Sequence, residues 1–169
     1  MTAFAELNWQ HPDVWGIVVG RGLMTIETRN EQACDTWLAA HGYERIDLNF
    51  ATGISPVVAW LGEYLNWEEQ FGYVLRPESR GLDGLRDGFE FAAANLVIKL
   101  QSFEVAWTED ERWSSGFLSI ISEYSLQQLA LGRRFFAILP VADANSMLIG
   151  QTIEGLGIRF PFRFPGNLP

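Results

Sequence analysis

The chain has 169 residues, of which 48% are hydrophobic and 20% charged, a balance typical of a folded globular protein and too apolar for a disordered one. Its formal net charge of −9 argues against a general affinity for nucleic acid or anionic membranes and favours a cationic partner. Cys34 is the single cysteine, which excludes an intrachain disulfide and a cysteine-based zinc site.

The same composition indicates where the protein works. A lone cysteine fits a cytoplasmic protein. No apolar stretch approaches the roughly 20 residues needed to span a bilayer, and residues 1–7 lack the basic and then apolar pattern of a secretory signal. We therefore expect a cytoplasmic protein without membrane association.

The N-terminal quarter of the chain predicts a strand-rich unit followed by a helix. Residues 14–19 are apolar and β-rich, and the glycine turn at 20–22 leads into the apolar residues 23–26, a pattern typical of a hairpin. Helical spacing follows and ends at Gly42. We predict that residues 1–42 form an addition, a hairpin plus a helix, that packs on the core.

The middle of the chain alternates strand and helix patterns. Ile46, Leu48 and Phe50 alternate with polar residues, the period of a strand with one buried face. Ser55 and Pro56 are typical of a helix N-terminus. The residues from Gly72 to Gly81 predict a loop.

Two continuous apolar strands and a long helix complete the predicted core. Residues 96–98 lack alternation, which favours a central strand buried on both faces, and residues 135–139 repeat the pattern. Between them Ser114 and Ser115 are predicted to cap a helix that ends at Gly132. Strands separated by helices predict an α/β protein with a small parallel-rich sheet covered by helices.

The C-terminal extension, residues 141–169, contains phenylalanines that alternate with Arg or Pro. Pro161 confines such a strand to a sheet edge, because proline cannot donate a ladder hydrogen bond. Phe160, Phe162 and Phe164 then either cover the core as a strap or form a docking segment for a partner or a second copy of the chain.

The most informative segment is a predicted acidic helix that begins at Leu82 and runs to about Ala93. At about 100° per residue, its apolar residues share one side: Leu82, Leu85 and Phe89. Three carboxylates lie opposite: Asp83, Asp87 and Glu90. Like charges at i, i+4 cost a helix about 0.2–0.5 kcal/mol, so this stripe is either a solvated face or a surface presented to something positive.

From residue 43 to 140 the order of elements resembles the barstar family, the small intracellular inhibitors of secreted bacterial ribonucleases. The family signature Leu-Asp-Ala-Leu-Trp-Asp is similar to Leu82-Asp83-Gly84-Leu85-Arg86-Asp87, and the acidic-aromatic loop 66–72 precedes it. The third inhibitory carboxylate of the family falls on Glu123. The resemblance implies a barstar-like fold and an immunity protein of the toxin–antitoxin type.

The chain also departs from the family pattern. Arg86 stands where a tryptophan is usual, Gln70 replaces a usual aromatic residue although Phe71 and Gly72 are kept, and the loop 73–80 is longer. These departures favour a ribonuclease or nuclease toxin other than barnase, recognised through a remodelled loop. Motif and resemblance together give the candidate partner-binding residues Asp83, Asp87, Glu123, Phe71, Gly72, Arg86 and Glu90.

Nothing in the sequence predicts a complete catalytic constellation, a cofactor or a resident metal. His11 and His41 are far apart in the chain and lie in no recognisable metal or triad motif. Besides the inhibitor, two alternatives stay open. One is a barstar-like scaffold or regulatory domain without inhibitory activity. The other is a hydrolase that binds Mg²⁺ through Asp83, Asp87 and Glu123.

Overall fold

The computed structural model describes residues 18–79, 82–89, 95–153, 158–159 and 162–163. The strands are β1 (Leu23–Glu27), β2 (Glu44–Asn49), β3 (Asn95–Gln101), β4 (Arg134–Val141), β5 (Thr152–Ile153), β6 (Ile158–Arg159) and β7 (Phe162–Arg163). The helices are α1 (Glu31–Ala40), α2 (Ile54–Tyr64), α3 (Trp67–Phe71), α4 (Leu85–Gly88), α5 (Phe103–Glu109) and α6 (Glu111–Ala130). Single 3-10 turns cover Thr28–Asn30 and Pro77–Ser79.

Four strands form an all-parallel sheet in the order β1-β4-β3-β2, packed with helices. The short β7 pairs in parallel with the outer side of β1, and β5 and β6 form a separate antiparallel pair. The predicted α/β class with a parallel sheet covered by helices is therefore confirmed.

The sheet separates two cores because its side chains alternate between faces. On one face Leu48 of β2 and Leu100 of β3 join the buried residues of α2, α3, α5 and α6. On the other face Val97 and Ile138 join those of α1. The interior position of β3 explains its continuous apolar run, as predicted.

The N-terminal strand does not form the predicted hairpin. Residues 18–20 are helical, and residues 14–17 lie outside the described part of the chain. Instead β1 pairs in parallel with β4, with Leu23 opposite Ala137. The physical reason is that Leu23 and Met24, on opposite faces of β1, are both buried, which suits a strand inside a sheet better than a hairpin with one wet face.

The long helix α6 begins earlier than predicted. The carboxylate of Asp110, not a serine, caps it and accepts the N–H of Trp113 at 2.9 Å, as an N-cap does. Ser114 and Ser115 lie inside the helix and are buried. Just before this cap, Glu109 accepts the N–H of Ile54 at 2.9 Å. That bond provides an acceptor for the first N–H group of α2, which begins at Ile54, one residue before Ser55.

The C-terminal extension returns to the sheet. Phe162 lies opposite Met24 of β1, so β7 is the terminal strand on that side. This agrees with the edge position predicted from Pro161, which lies outside the described residues together with Phe160 and Phe164. Whether the phenylalanines cover the core or dock a partner stays a prediction.

Candidate functional site

The acidic segment is less helical than its sequence predicts. Gly84 has a left-handed backbone with φ +82, and α4 begins only after it. Asp83 therefore lies in the turn that precedes the helix and not on its first turn. The expected stripe at i, i+4 is broken at this glycine, because a residue with φ +82 cannot continue a right-handed helix. Glu90 lies outside the described residues.

The apolar side of the segment is anchored to the core, as predicted. Leu85 and Phe89 are buried, and Leu82 is partly buried against the same cluster. A Cβ atom at Gly84 would lie 3.3 Å from the Trp67 ring, and one at Gly88 would lie at the same distance from it. The glycines thus let the backbone of the segment lie directly on the indole.

The segment also meets α6. The hydroxyl of Tyr124 donates a hydrogen bond to the carbonyl oxygen of Phe89 at 2.7 Å, and Leu82 lies so close to Gly116 that a Cβ there would be 2.7 Å from its methyl group. Asp87 stands two residues before Phe89, and Glu123 one residue before Tyr124. Glu123 therefore belongs to α6, the helix that contacts the segment carrying Asp83 and Asp87.

The three candidate carboxylates face solvent. Asp83, Asp87 and Glu123 are all exposed, and within the described residues none of them forms a salt bridge. Arg86 is exposed on the same short helix. The segment thus presents two carboxylates and one guanidinium on an apolar base that is packed into the core.

The loop residues of the candidate site flank this base. Phe71 is half-buried at the end of α3, and its ring lies 4.5 Å from that of Trp67. Gly72 caps α3 with φ +76 and is exposed. Tyr73 follows, 53% exposed, with its ring at 77° to that of Trp67. Trp67 itself is buried.

A cavity of about 600 Å³ adjoins the same indole. Residues of α2, α3 and the segment 74–77 line it: Ala59, Gly62, Glu63, Asn66, Trp67, Glu68, Glu69, Val74, Leu75 and Pro77. We did not predict this cavity from the sequence. The available signal is the pair Ala59 and Gly62 at helical spacing, since small residues on one face of α2 let another segment approach closely. A Cβ at Gly62 would lie 3.2 Å from the Cβ of Leu75.

A second charged cluster lies on the other face of the sheet and was also missed. Lys99 of β3 is 4% exposed, and its ammonium pairs with Glu31 and Asp35 of α1. Asp35 also binds Arg45 at 2.9 Å. Burial alone would lower the pKa of Lys99, but hydrogen bonds to the two carboxylates and their charges raise it above its ordinary value. This cluster joins α1 to the sheet.

The candidate metal ligands of the described residues do not cluster. Among them, no group of three His, Cys, Asp or Glu side chains is placed to hold a metal ion. His41 stacks on Trp37 with ring centroids 4.0 Å apart and bonds the Trp37 carbonyl oxygen through Nδ1, so it completes the end of α1. Within the same part of the chain, every helix is too short or too polar to cross a bilayer.

Comparison of the chain with protein-family models, with curated proteins and with solved structures found no match.

Proposed function

We propose that this chain is an immunity-type inhibitor that binds the cationic active site of a ribonuclease or nuclease toxin through its acidic segment. The single observation that carries the proposal is the arrangement of residues 82–89. Gly84 and Gly88 lie against Trp67, and the apolar side chains of the segment pack into the core. Asp83 and Asp87 are exposed and form no salt bridge within the described residues. The resemblance of the segment and of the element order to the barstar family supports the same proposal.

The chemistry of the target explains why carboxylates would inhibit it. A ribonuclease active site holds Arg, Lys and His side chains that bind phosphate and stabilise developing negative charge. Carboxylates on a segment whose backbone is packed against the core would occupy such a site in place of RNA, and the packing would reduce the conformational entropy lost on binding. Asp83 and Asp87 would pair with these cations, and Glu123 would do so from α6.

The charge of the whole chain supports rapid association. A net charge of −9 attracts a cationic nuclease over a distance set by the ionic strength, and such steering raises association rates most at low salt. Binding of this kind needs no cofactor. The inhibitor should therefore associate quickly and with a strong dependence on salt.

The identity of the target is expected to differ from barnase. Arg86 adds a positive charge beside the two aspartates, and the segment that follows Gly72 is enlarged and contributes Val74, Leu75 and Pro77 to a cavity. Both features change the surface that a nuclease would meet. We propose a nuclease whose contact surface extends beyond its active site onto this segment.

Calorimetric binding and ribonuclease inhibition test the proposal, with the toxin-like product of the neighbouring gene as the probe. The wild type is compared with Asp87→Ala and with Glu111→Gln, which also removes one exposed charge, at the start of α6. Asp87→Ala should weaken binding at least about tenfold, as loss of one member of a buried ion pair does. Glu111→Gln should leave binding unchanged. The free energy of unfolding of both variants should equal that of the wild type.

Two results would contradict the proposal. Equal weakening of binding by both variants would mean that only the overall charge matters. Absence of inhibition would favour the scaffold or regulatory domain. The hydrolase alternative fails if Mg²⁺ shows no calorimetric binding; among the described residues, Asp83, Asp87 and Glu123 do not form a group that could hold a metal.

A further inference from the structure

We propose that the cavity between α2, α3 and residues 74–77 binds an arginine side chain presented by the partner nuclease. This second anchor shares Trp67 with residues 84 and 88. The inference rests on the proposed function for the source of the arginine. The preference of the cavity for a guanidinium group comes from the charge and the apolar character of its walls.

The charge of the cavity favours a cation. Glu63, Glu68 and Glu69 line it, whereas neither Lys nor Arg is among its lining residues. All three glutamates are exposed, so their carboxylates remain hydrated and free to turn toward a ligand. Within the described residues none of the three forms a salt bridge. A cation entering the cavity would therefore displace no resident partner from this part of the chain.

The rest of the cavity favours arginine over lysine. Its remaining walls are largely apolar, with Ala59, Leu75 and Pro77 around an opening of about 600 Å³, a volume common for ligand sites. A guanidinium is planar, more weakly hydrated than an ammonium and carries five donors, so it enters an apolar site at lower cost and binds several carboxylates at once. The methylene groups of the side chain pack on the apolar walls.

The buried Trp67 indole forms part of the cavity wall. Trp67 is 1% exposed, and its Nε1–H finds no hydrogen-bond partner among the described atoms. The Nε1 atom is itself buried, so the indole reports on the cavity wall and is not a contact for the guanidinium, which has no acceptor.

The position of the cavity connects it to the choice of partner. Trp67 contacts residues 84 and 88 with one part of its ring and also lines the cavity. A nuclease bound to Asp83 and Asp87 is thus held next to the cavity. Val74, Leu75 and Pro77 belong to the enlarged loop, so the cavity is a feature of this chain and not of the signature segment.

Nuclear magnetic resonance titration tests the inference with N-acetyl-arginine amide as the probe. N-acetyl-citrulline amide, which has nearly the same shape without the charge, is the matched control ligand. We expect saturable shifts at the Trp67 indole N–H and at the amides of Glu63 and Glu68 with the arginine probe only. The affinity is expected in the millimolar range, because a single exposed ion pair contributes little.

Variants separate this site from the acidic segment. Glu63→Gln with Glu68→Gln should weaken binding of the arginine probe at least about fivefold, whereas Glu78→Gln, an exposed charge outside the cavity, should not. Asp83→Asn with Asp87→Asn removes the carboxylates of the acidic segment and should leave the probe-induced shifts at the amides of Glu63 and Glu68 unchanged. Equal response to the citrulline probe, or unchanged affinity in the double glutamate variant, would overturn the inference.

The two proposals fail in different ways. If the nuclease is not inhibited but the arginine probe binds as described, the proposed function is wrong and the ligand chemistry of the cavity is retained. If the nuclease is inhibited but Glu63→Gln with Glu68→Gln inhibits as strongly as the wild type, the inhibitor stands and the arginine anchor is wrong.

Discussion

The ammonium of Lys99 lies 3.1 Å from a carboxylate oxygen of Asp35, inside the face of the sheet that α1 covers. Lysine is rarely found at 4% exposure unless it is paired. Asp35 in turn binds Arg45, which reaches Asp47 at 3.1 Å. The carboxylate of Asp35 therefore compensates both the buried Lys99 and the exposed Arg45. Loss of Asp35 should lower the free energy of unfolding more than loss of either base.

We expect Asp35→Ala to lower the free energy of unfolding by about 2–3 kcal/mol, because it leaves Lys99 buried with Glu31 as its remaining carboxylate. Lys99→Met should cost less than about 1 kcal/mol, since it fills the same space and leaves two carboxylates that still reach water. Urea denaturation measures both. Asp47→Asn, which removes one exposed pair, is the control and should cost less than about 1 kcal/mol. A larger loss of unfolding free energy for Lys99→Met than for Asp35→Ala would mean that the buried lysine does not depend on Asp35.

Cys34, on the same face of the sheet, should make the protein less stable in alkali. Burial, with the neighbouring charge of Asp35, raises the pKa of the Cys34 thiol from 9.0 to about 12. The folded protein then keeps a proton that the unfolded chain loses, so the free energy of unfolding falls as pH rises above 9, by at most about 1.4 kcal/mol per pH unit.

Urea midpoints between about pH 8 and 10 measure this effect. Cys34→Ala should be less stable at neutral pH but should show a shallower decline over that interval. Lys99 contributes separately: because its folded pKa is raised, its stabilisation is complete below its unfolded pKa and is lost only at higher pH, as pH rises through the folded value. An unchanged slope in Cys34→Ala would exclude the thiol as the cause.

Two glycines with the same backbone conformation form a matched pair. Gly84 and Gly72 have φ +82 and φ +76, but a Cβ at Gly84 meets the Trp67 ring at 3.3 Å whereas at Gly72 it meets nothing within 4 Å. Gly72→Ala should therefore cost only the strain of a left-handed residue, about 1 kcal/mol. Gly84→Ala should cost about 1–3 kcal/mol more and should weaken nuclease inhibition, because it lifts Asp83 and Asp87 from their base. Equal costs would mean that the segment adjusts freely.

Removal of Arg86 should strengthen binding to a cationic nuclease. Arg86→Ala deletes a like charge beside the proposed contact, so the association rate at low salt should rise by about two- to fivefold, and the gain should disappear at high salt. Stopped-flow association measures it. Arg133→Ala, an exposed base at the far end of α6, should change the rate less. A slower association in Arg86→Ala would mean that Arg86 contacts the partner favourably.

Local pattern was sufficient for much of the sheet. Alternation in β2 and continuous apolar runs in β3 and β4 report burial directly, because each strand side chain points to one face or the other. The pattern failed where the chain makes a long-range choice. Leu23 and Met24 are buried because β4 and α1 lie on either side of them, and nothing in residues 14–27 indicates a partner beyond residue 130.

The candidate site shows the same division. Helical spacing predicts that Leu85 and Phe89 lie on the buried side of the segment. Helical spacing does not predict the break at Gly84, where the backbone lies close to Trp67. Lys99 lies in an apolar strand, which does not predict a buried ion pair. The sequence indicates its partners only through Glu31 and Asp35, which are one helical turn apart. The cavity beside α2 requires knowledge of where residues 74–77 return, which is a property of the folded chain.

The place of β1 in the sheet has a consequence for synthesis of the protein. Thr28, directly after β1, donates its hydroxyl proton to the carbonyl oxygen of Val141, 113 residues later in the chain. β1 emerges from the ribosome first, yet its neighbour β4 is made long after β2 and β3. An apolar strand thus waits without its native partner until β4 has been made. Contacts of such large sequence separation slow folding, and strand edges that stay unpaired meanwhile are open to misassociation.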